Sequence, residues 1–340
     1  MNEIFLSSIW KNIYLGAEWR SPVRCLAGGI PSGHCVMSTS NGRRRRRLDF
    51  EIRLLRRQEA AMLERIALDL TKDANQARRV QLAIQLAARH KAELIGICTD
   101  PPLPRYIYDE GGISQQILAK LQEQSTQEKI ETKTHFLQQA ALAGIQAQCR
   151  MPQSPIEEAL AAHARSCDLL IMSQTDTAQA NWAIPPSVVD SVITAAGRPV
   201  LVAPYIGDAH RPIGRKVLFC WDYGRRAARA LADAAPLLRE ASELTVLTVD
   251  PQPDMLRALD IQPGDLAAYC AAHGYPAPRT VHTMSEGVGV GNAILNAATD
   301  YDCDMIVMGL YNRSRVREWI LGGTSKTLLQ SMTVPILFSH

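Results

Sequence analysis

An internal repeat constrains this chain more than any other feature of its sequence. The segment DLLIMS…GRPVLVAP at 168–204 is answered by DMIVMG…TVPILFSH at 304–340, with Pro199 matching Pro335, 136 residues later. At the front of each copy stands a strand-like run, RIALDL at 65–70 and KVLFCW at 216–221, followed by Thr71 and Asp222, 151 residues apart. Self-similarity at this distance means two copies of one folding unit. The length of 340 residues agrees, since roughly 100–200 residues per domain give two.

Each copy alternates strand with helix. In the first, strand-like runs cover 65–70, 92–98, 145–150, 168–173 and 199–203, and helical stretches cover 74–90, 113–142, 156–165 and 185–196. Ala77, Val80, Ala83, Ile84 and Ala87 set the helical spacing. In the second, strands at 216–221, 243–249, 279–284, 304–308 and 334–338 alternate with helices at 225–240, 263–273, 290–299 and 324–332. Such alternation predicts an α/β fold in which parallel strands are covered by helices on both faces. The expected organisation is a first domain over 62–204, a turn-rich linker at 205–214 (YIGDAHRPIG) and a second domain over 215–340.

The net charge of +3 has to be divided to be understood. Residues 1–61 hold eleven Lys and Arg against five acids, including the run Arg43 to Arg47; the remainder holds 26 basic and 29 acidic residues. All of the basic excess lies in the first sixty residues, so charge gives no support for nucleic-acid binding by the folded part. Residues 1–61 lack a sustained period and read as a disordered basic extension, and Met62, directly before the first strand, is an alternative start. Mass spectrometry of the native amino terminus decides that point.

No apolar run approaches the roughly 20 residues of a membrane span. The eight cysteines all lie at least ten residues apart, with no CxxC pair, which disfavours a zinc ribbon, a redox motif of that type and a disulfide framework. The expected location is cytoplasmic.

The segment that can carry chemistry is 308–325, MGLYNRSRVREWILGGTS. A strand ends at Met308, Gly309 opens a loop, and Gly322, Gly323, Thr324 and Ser325 lead into a helix. Glycine lets backbone approach a ligand, and the free N–H groups of a first helical turn favour phosphate. A tight turn into a capped helix explains the same glycines without a ligand. Asp222, at the end of its strand, is placed either to accept hydrogen bonds from a ribose or adenine amine or to cap the following helix. The corresponding first-copy segment, 173–187 (SQTDTAQANWAIPPS), has no glycine, and Thr71 replaces the aspartate. The first copy therefore reads as a structural or partner half.

Together these residues resemble the universal stress protein family, as two tandem domains over roughly 62–340. ATP-binding members show Gly-x-x-Gly, nine residues, then Gly followed by Ser or Thr. Here Gly309 matches the first glycine and Gly322 the third, while Asn312 occupies the second position and Gly323 follows Gly322. The resemblance implies a Rossmann-like, adenine-nucleotide α-hydrolase-like fold with strand order 3-2-1-4-5 and the capacity to form a homodimer. The two domains are expected to pack as a pseudo-dimer, because a last strand such as VPILF at 334–338 is apolar and a bare edge invites pairing. It also implies that the second domain binds ATP with Mg²⁺, with a role in stress response or signalling that involves a protein partner. The residues involved would be Asp222, Val249 beside the purine, Met308, Gly309, Asn312, Arg313, Gly322, Gly323, Thr324 and Ser325. The Asn312 side chain would project toward ribose or phosphate, and Arg313 and Arg315 would compensate at phosphate oxygens. The alternative is a nucleotide-free interaction protein with relic pockets.

Catalysis finds no support in the residues. The chain has no G-x-x-x-x-G-K-[ST] loop, no G-x-S-x-G elbow, no His-x-Gly-His pattern and no histidine pair spaced for a metal. The expectation is a non-enzyme, with at most a weak ATPase.

Overall fold

The computed structural model describes residues 62–100, 115–175, 186–207, 211–310 and 323–340. The first half runs β1 (Arg65–Asp69), α1 (Gln76–His90), β2 (Glu93–Ile97), α2 (Gln115–Leu142), β3 (Ala147–Arg150), α3 (Ile156–Ala164), β4 (Leu169–Ser173), α4 (Pro186–Ala195) and β5 (Val200–Ala203). The second half runs β6 (Lys216–Cys220), α5 (Arg225–Asp233), α6 (Ala235–Leu238), β7 (Glu243–Val249), α7 (Pro253–Ala258) and α8 (Asp265–His273). It continues through β8 (Pro278–Thr283), α9 (Val290–Asp300), β9 (Met305–Gly309), α10 (Gly323–Ser331) and β10 (Ile336–Ser339).

All these strands join one ten-stranded sheet, ordered β3-β2-β1-β4-β5-β10-β9-β6-β7-β8. Each half has the expected order 3-2-1-4-5 with parallel neighbours. The halves meet where β10 pairs antiparallel with β5, as expected for a pseudo-dimer: Ile336 faces Val202, Leu337 faces Leu201 and Phe338 faces Val200. Under the 136-residue repeat, Leu337 is the counterpart of Leu201. The approximate two-fold axis thus passes between two copies of the same residue.

Burial along each strand follows its place in the sheet. Central β4 (LLIMS) is buried at every residue, as strands covered on both faces require. β3 and β8, at the two outer edges, carry exposed polar residues along their length, which discourages further pairing. β5 and β10 would each be the edge of a lone half, yet both are buried throughout because they cover each other.

Two apolar layers sandwich the sheet. One gathers Ala83 and Leu86 of α1, Phe136 of α2 and Ala230 and Leu231 of α5. The other gathers Leu160 of α3, Val192 of α4, Ile294 of α9 and Leu328 of α10. Each layer is continuous through both halves. The repeat extends to polar detail. Asp168, before β4, accepts from the backbone N–H groups of Glu64 and Arg65 at 2.8 and 2.9 Å. Its counterpart Asp304, before β9, accepts from those of Gly214, Arg215 and Lys216.

Two elements depart from the expectation. The helix expected over 225–240 breaks at Ala234, because Pro236 at the start of α6 lacks an N–H and cannot continue the ladder. The short α7 has no buried residue, so it left no periodic signal in the sequence. Among the described residues no helix is long and apolar enough to cross a membrane.

Candidate functional site

In an open α/β sheet the ligand crevice opens at the carboxyl ends of the strands where their order reverses. That point lies between β6 and β9 in the second half and between β1 and β4 in the first.

In the second half β6 ends at Cys220. Burial, reinforced by Asp222 and Cys303, pushes its thiol up to about 12, so it is a protonated lining group rather than a nucleophile. Asp222 follows, exposed at the mouth of the crevice. One of its oxygens accepts the backbone N–H of Gly224 at 2.8 Å, and Gly224 itself is the N-cap of α5. Asp222 thus shapes the loop before the helix, helped by the left-handed Tyr223 (φ 59°), while its carboxylate stays in contact with solvent. Next along the sheet, Val249 ends β7 opposite Thr283 and is half-buried.

At the end of β9, Met308 is buried and Gly309 meets helix α5. A Cβ on Gly309 would stand 2.4 Å from the carbonyl carbon of Arg226 and 2.6 Å from its oxygen. The absence of a side chain here serves the approach of helix to strand. Arg226 reaches back across this contact to the Leu310 carbonyl at 3.4 Å.

α10 begins at Gly323, where a Cβ would find nothing within 4 Å among the described residues. Thr324 is half-buried. Ser325 is fully buried, and its hydroxyl has no hydrogen-bond partner among the described residues. A buried hydroxyl left unpaired in the first turn of a helix carries the desolvation cost of the missing bond. Asn312, Arg313 and Gly322 lie outside the described residues. The structure therefore places Asp222, Val249 and Gly309 at the carboxyl ends of the adjoining strands β6, β7 and β9 respectively, with α10 following the last of them.

The first half is built differently at the same place. Arg79 of α1 is fully buried, and its guanidinium fills the crevice. Its Nε donates to the Asp69 carbonyl at 2.6 Å and one terminal nitrogen to the Thr71 carbonyl at 2.7 Å. The other terminal nitrogen donates to Asp73 at 2.9 Å and to the Ser173 hydroxyl at 2.7 Å. The buried Asp69 carboxylate lies 3.7 Å from Nε. Burial raises its pKa, while Arg79 and the Thr71 hydrogen bond oppose that rise. Thr71 also shares a 2.8 Å hydroxyl contact with Thr99. Through the repeat, Asp69, Asp73, Arg79 and Ser173 correspond to Cys220, Gly224, Ala230 and Gly309. The second half carries none of the side chains that fill this place in the first. A single buried arginine in α1 gave no periodic or motif signal, and sequence reasoning missed it.

The Universal stress protein family matches the chain twice, over residues 62–204 and 214–340. A universal stress protein from Archaeoglobus fulgidus DSM 4304 superposes with a TM-score of 0.61 at 17% identity, covering 80% of this chain and 97% of that one. A functionally unknown protein from Pseudomonas aeruginosa PAO1 gives 0.52 at 15% identity, covering 83% and 93%. A putative universal stress protein from Pseudomonas aeruginosa UCBPP-PA14 gives 0.50 at 15% identity, covering 83% and 94%. Comparison with curated proteins finds no match. At these identities the superpositions speak for the fold alone.

Proposed function

Because the chain belongs to the universal stress protein family in both of its halves, we propose that its second domain binds an adenine nucleotide, ATP with Mg²⁺, and that the first domain serves as a structural half. The observation that carries this reading is the contrast between the two crevices. The first is filled by the guanidinium of Arg79, while the second has Ala230, Gly224 and Gly309 at the corresponding positions.

The residues present fit a phosphate. The first turn of α10 presents N–H groups, no described atom stands within 4 Å of where a Cβ on Gly323 would be, and the buried Ser325 hydroxyl has no partner among the described residues, a place a phosphate oxygen would fill. Asp222, exposed at the end of β6, would accept from ribose or adenine, and Val249 would line the purine. In this reading the occupied state presents a different surface to a protein partner in the cytoplasm. The sequence carries no catalytic motif, so the proposal is of binding without turnover.

One observation favours the nucleotide-free alternative. Gly309 is explained by the backbone of Arg226 pressed against it, and so by packing without a ligand. Mass spectrometry of small molecules released from the purified protein, with titration calorimetry against ATP and Mg²⁺, tests the choice. We expect released adenine nucleotide, measurable heat, and at least about tenfold weaker binding for Asp222→Ala, equivalent to about 1.4 kcal/mol. Asn312→Gly should hold or raise the affinity. If neither the parent nor Asn312→Gly yields nucleotide or heat, the protein acts through its surfaces alone.

A further inference from the structure

The first half holds a pair of thiols that has no counterpart in the second. Cys98 directly follows β2, and Cys149 lies on the edge strand β3. They are 51 residues apart in sequence, yet their sulfurs are 3.7 Å apart. The strand register explains this. Gly96 faces Cys149 and Ile97 faces Arg150. Cys98, two residues beyond Gly96, shares its face of the sheet, so the two side chains are diagonal neighbours. The Cys98 N–H donates to the Arg150 carbonyl at 2.9 Å, which fixes the two backbones at this spacing.

The two thiols are unequal. Cys98 is 1% exposed, whereas Cys149 is only half-buried on β3, an outer strand of the sheet among the described residues. The sulfur contact with Cys98, with Lys133 and Arg150 nearby, lowers the pKa of Cys149 against the opposing effect of burial. Cys98 is held as the thiol by the same sulfur contact, by burial and by Asp69. An accessible sulfur biased toward thiolate, in contact with a protonated and shielded one, is the arrangement of an attacking and a resolving cysteine. The other described cysteines lack such a neighbour. Burial pushes the thiols of Cys167 and Cys270 up, and that of Cys303 to about 11.

We propose that Cys149 and Cys98 form a peroxide-reactive dithiol, in which a hydroperoxide oxidises Cys149 and Cys98 resolves it as an intramolecular disulfide. The Cys149 thiolate attacks the peroxide; the O–O bond breaks, a sulfenic acid forms, and the departing hydroxide or alkoxide takes up a proton as water or alcohol. Cys98 then attacks the Cys149 sulfur, forming the S–S bond, and its proton leaves with the sulfenic oxygen as water. Two electrons pass from the two thiols to the peroxide. A dithiol reductant returns them by exchange through a mixed disulfide. Closing 3.7 Å to the roughly 2.05 Å of a disulfide requires movement of the edge strand and the Cys149 side chain, not of the central sheet.

The test is peptide mapping of the full chain under non-reducing conditions after stoichiometric hydrogen peroxide. The expected product is a 98–149 cross-link that a dithiol reductant reverses, with Cys149 consumed at least about tenfold faster than Cys167, Cys270 or Cys303. In Cys98→Ser the sulfenic acid on Cys149 should persist and react with dimedone, and in Cys149→Ser oxidation of Cys98 should cease. The parent chain alone settles the matter if either variant fails to fold. Peroxide that leaves 98 and 149 unlinked in the parent, or that oxidises Cys98 equally fast in Cys149→Ser, would overturn the proposal.

Discussion

His90 ends α1 with its side chain buried, 3.4 Å from Glu240 of the second half. Glu240 is also paired with Arg89 at 3.3 Å, and among the described residues neither ring nitrogen of His90 has a hydrogen-bond partner. Burial, and then the Arg89 charge, lower the imidazole pKa from 6.5 to about 4. The unfolded chain therefore takes up a proton near pH 6.5 that the folded chain refuses until about pH 4. Between those values the unfolded state binds more protons, so stability is fully present above about pH 6.5 and falls as the pH drops. The loss attributable to this residue is on the order of 2–3 kcal/mol. Melting temperatures of the parent and of His90→Gln, compared at pH 7 and pH 4.5, should show a smaller acid-induced fall in the variant. Equal falls would mean that the ring is already charged in the folded protein. At this scale the sequence was least informative. Asp222 was legible because it ends a strand, but Arg79 and the Cys98–Cys149 contact depend on which residues α1 and β3 bring together across long separations. No spacing rule reports such contacts.

Helix α5 lies closer to β9 than its first-half counterpart α1 can lie to β4. Ser173 needs room for its hydroxyl and for the guanidinium bonded to it, whereas Gly309 admits the backbone of Arg226 itself. Gly309→Ala would set a Cβ 2.4 Å from a main-chain carbon, a contact only a shift of the helix can relieve. The expected cost is about 1–3 kcal/mol, read as a lower melting temperature in the absence of any ligand. A variant that melts like the parent yet loses nucleotide binding would return this glycine to the ligand. Strands were the legible elements, because buried parallel strands announce themselves as apolar runs and the repeat shows them twice. Helix ends were less so. Pro236 breaks a stretch whose periodicity reads as continuous, and α7 has no apolar face to reveal it.

Across the whole molecule the two apolar layers pass without interruption from one half to the other, and β5 and β10 bury each other. Leu201 and Leu337, facing across the junction, are 0% and 1% exposed. Leu201→Asp would bury a carboxylate with no cation opposite, at a cost above roughly 4 kcal/mol. Differential scanning calorimetry should show one transition for the parent and one, at lower temperature, for the variant. A variant that keeps a second transition at the parental temperature would mean that the halves fold independently. The pairing of halves was legible, since an apolar last strand in each copy needs a cover. The axis between Leu201 and its own copy became visible only with the register.

That junction also has a consequence in mass action. Two separate chains joined edge to edge would part on dilution, with an equilibrium set by their concentration in the cell. Here the segment between Ala203 and Lys216 holds the partner edges in one polypeptide, and a short tether of this kind maintains an effective concentration on the order of millimolar. Assembly of the ten-stranded sheet is thereby independent of expression level. The two halves are always present in equal number, each free to change residues that the other keeps.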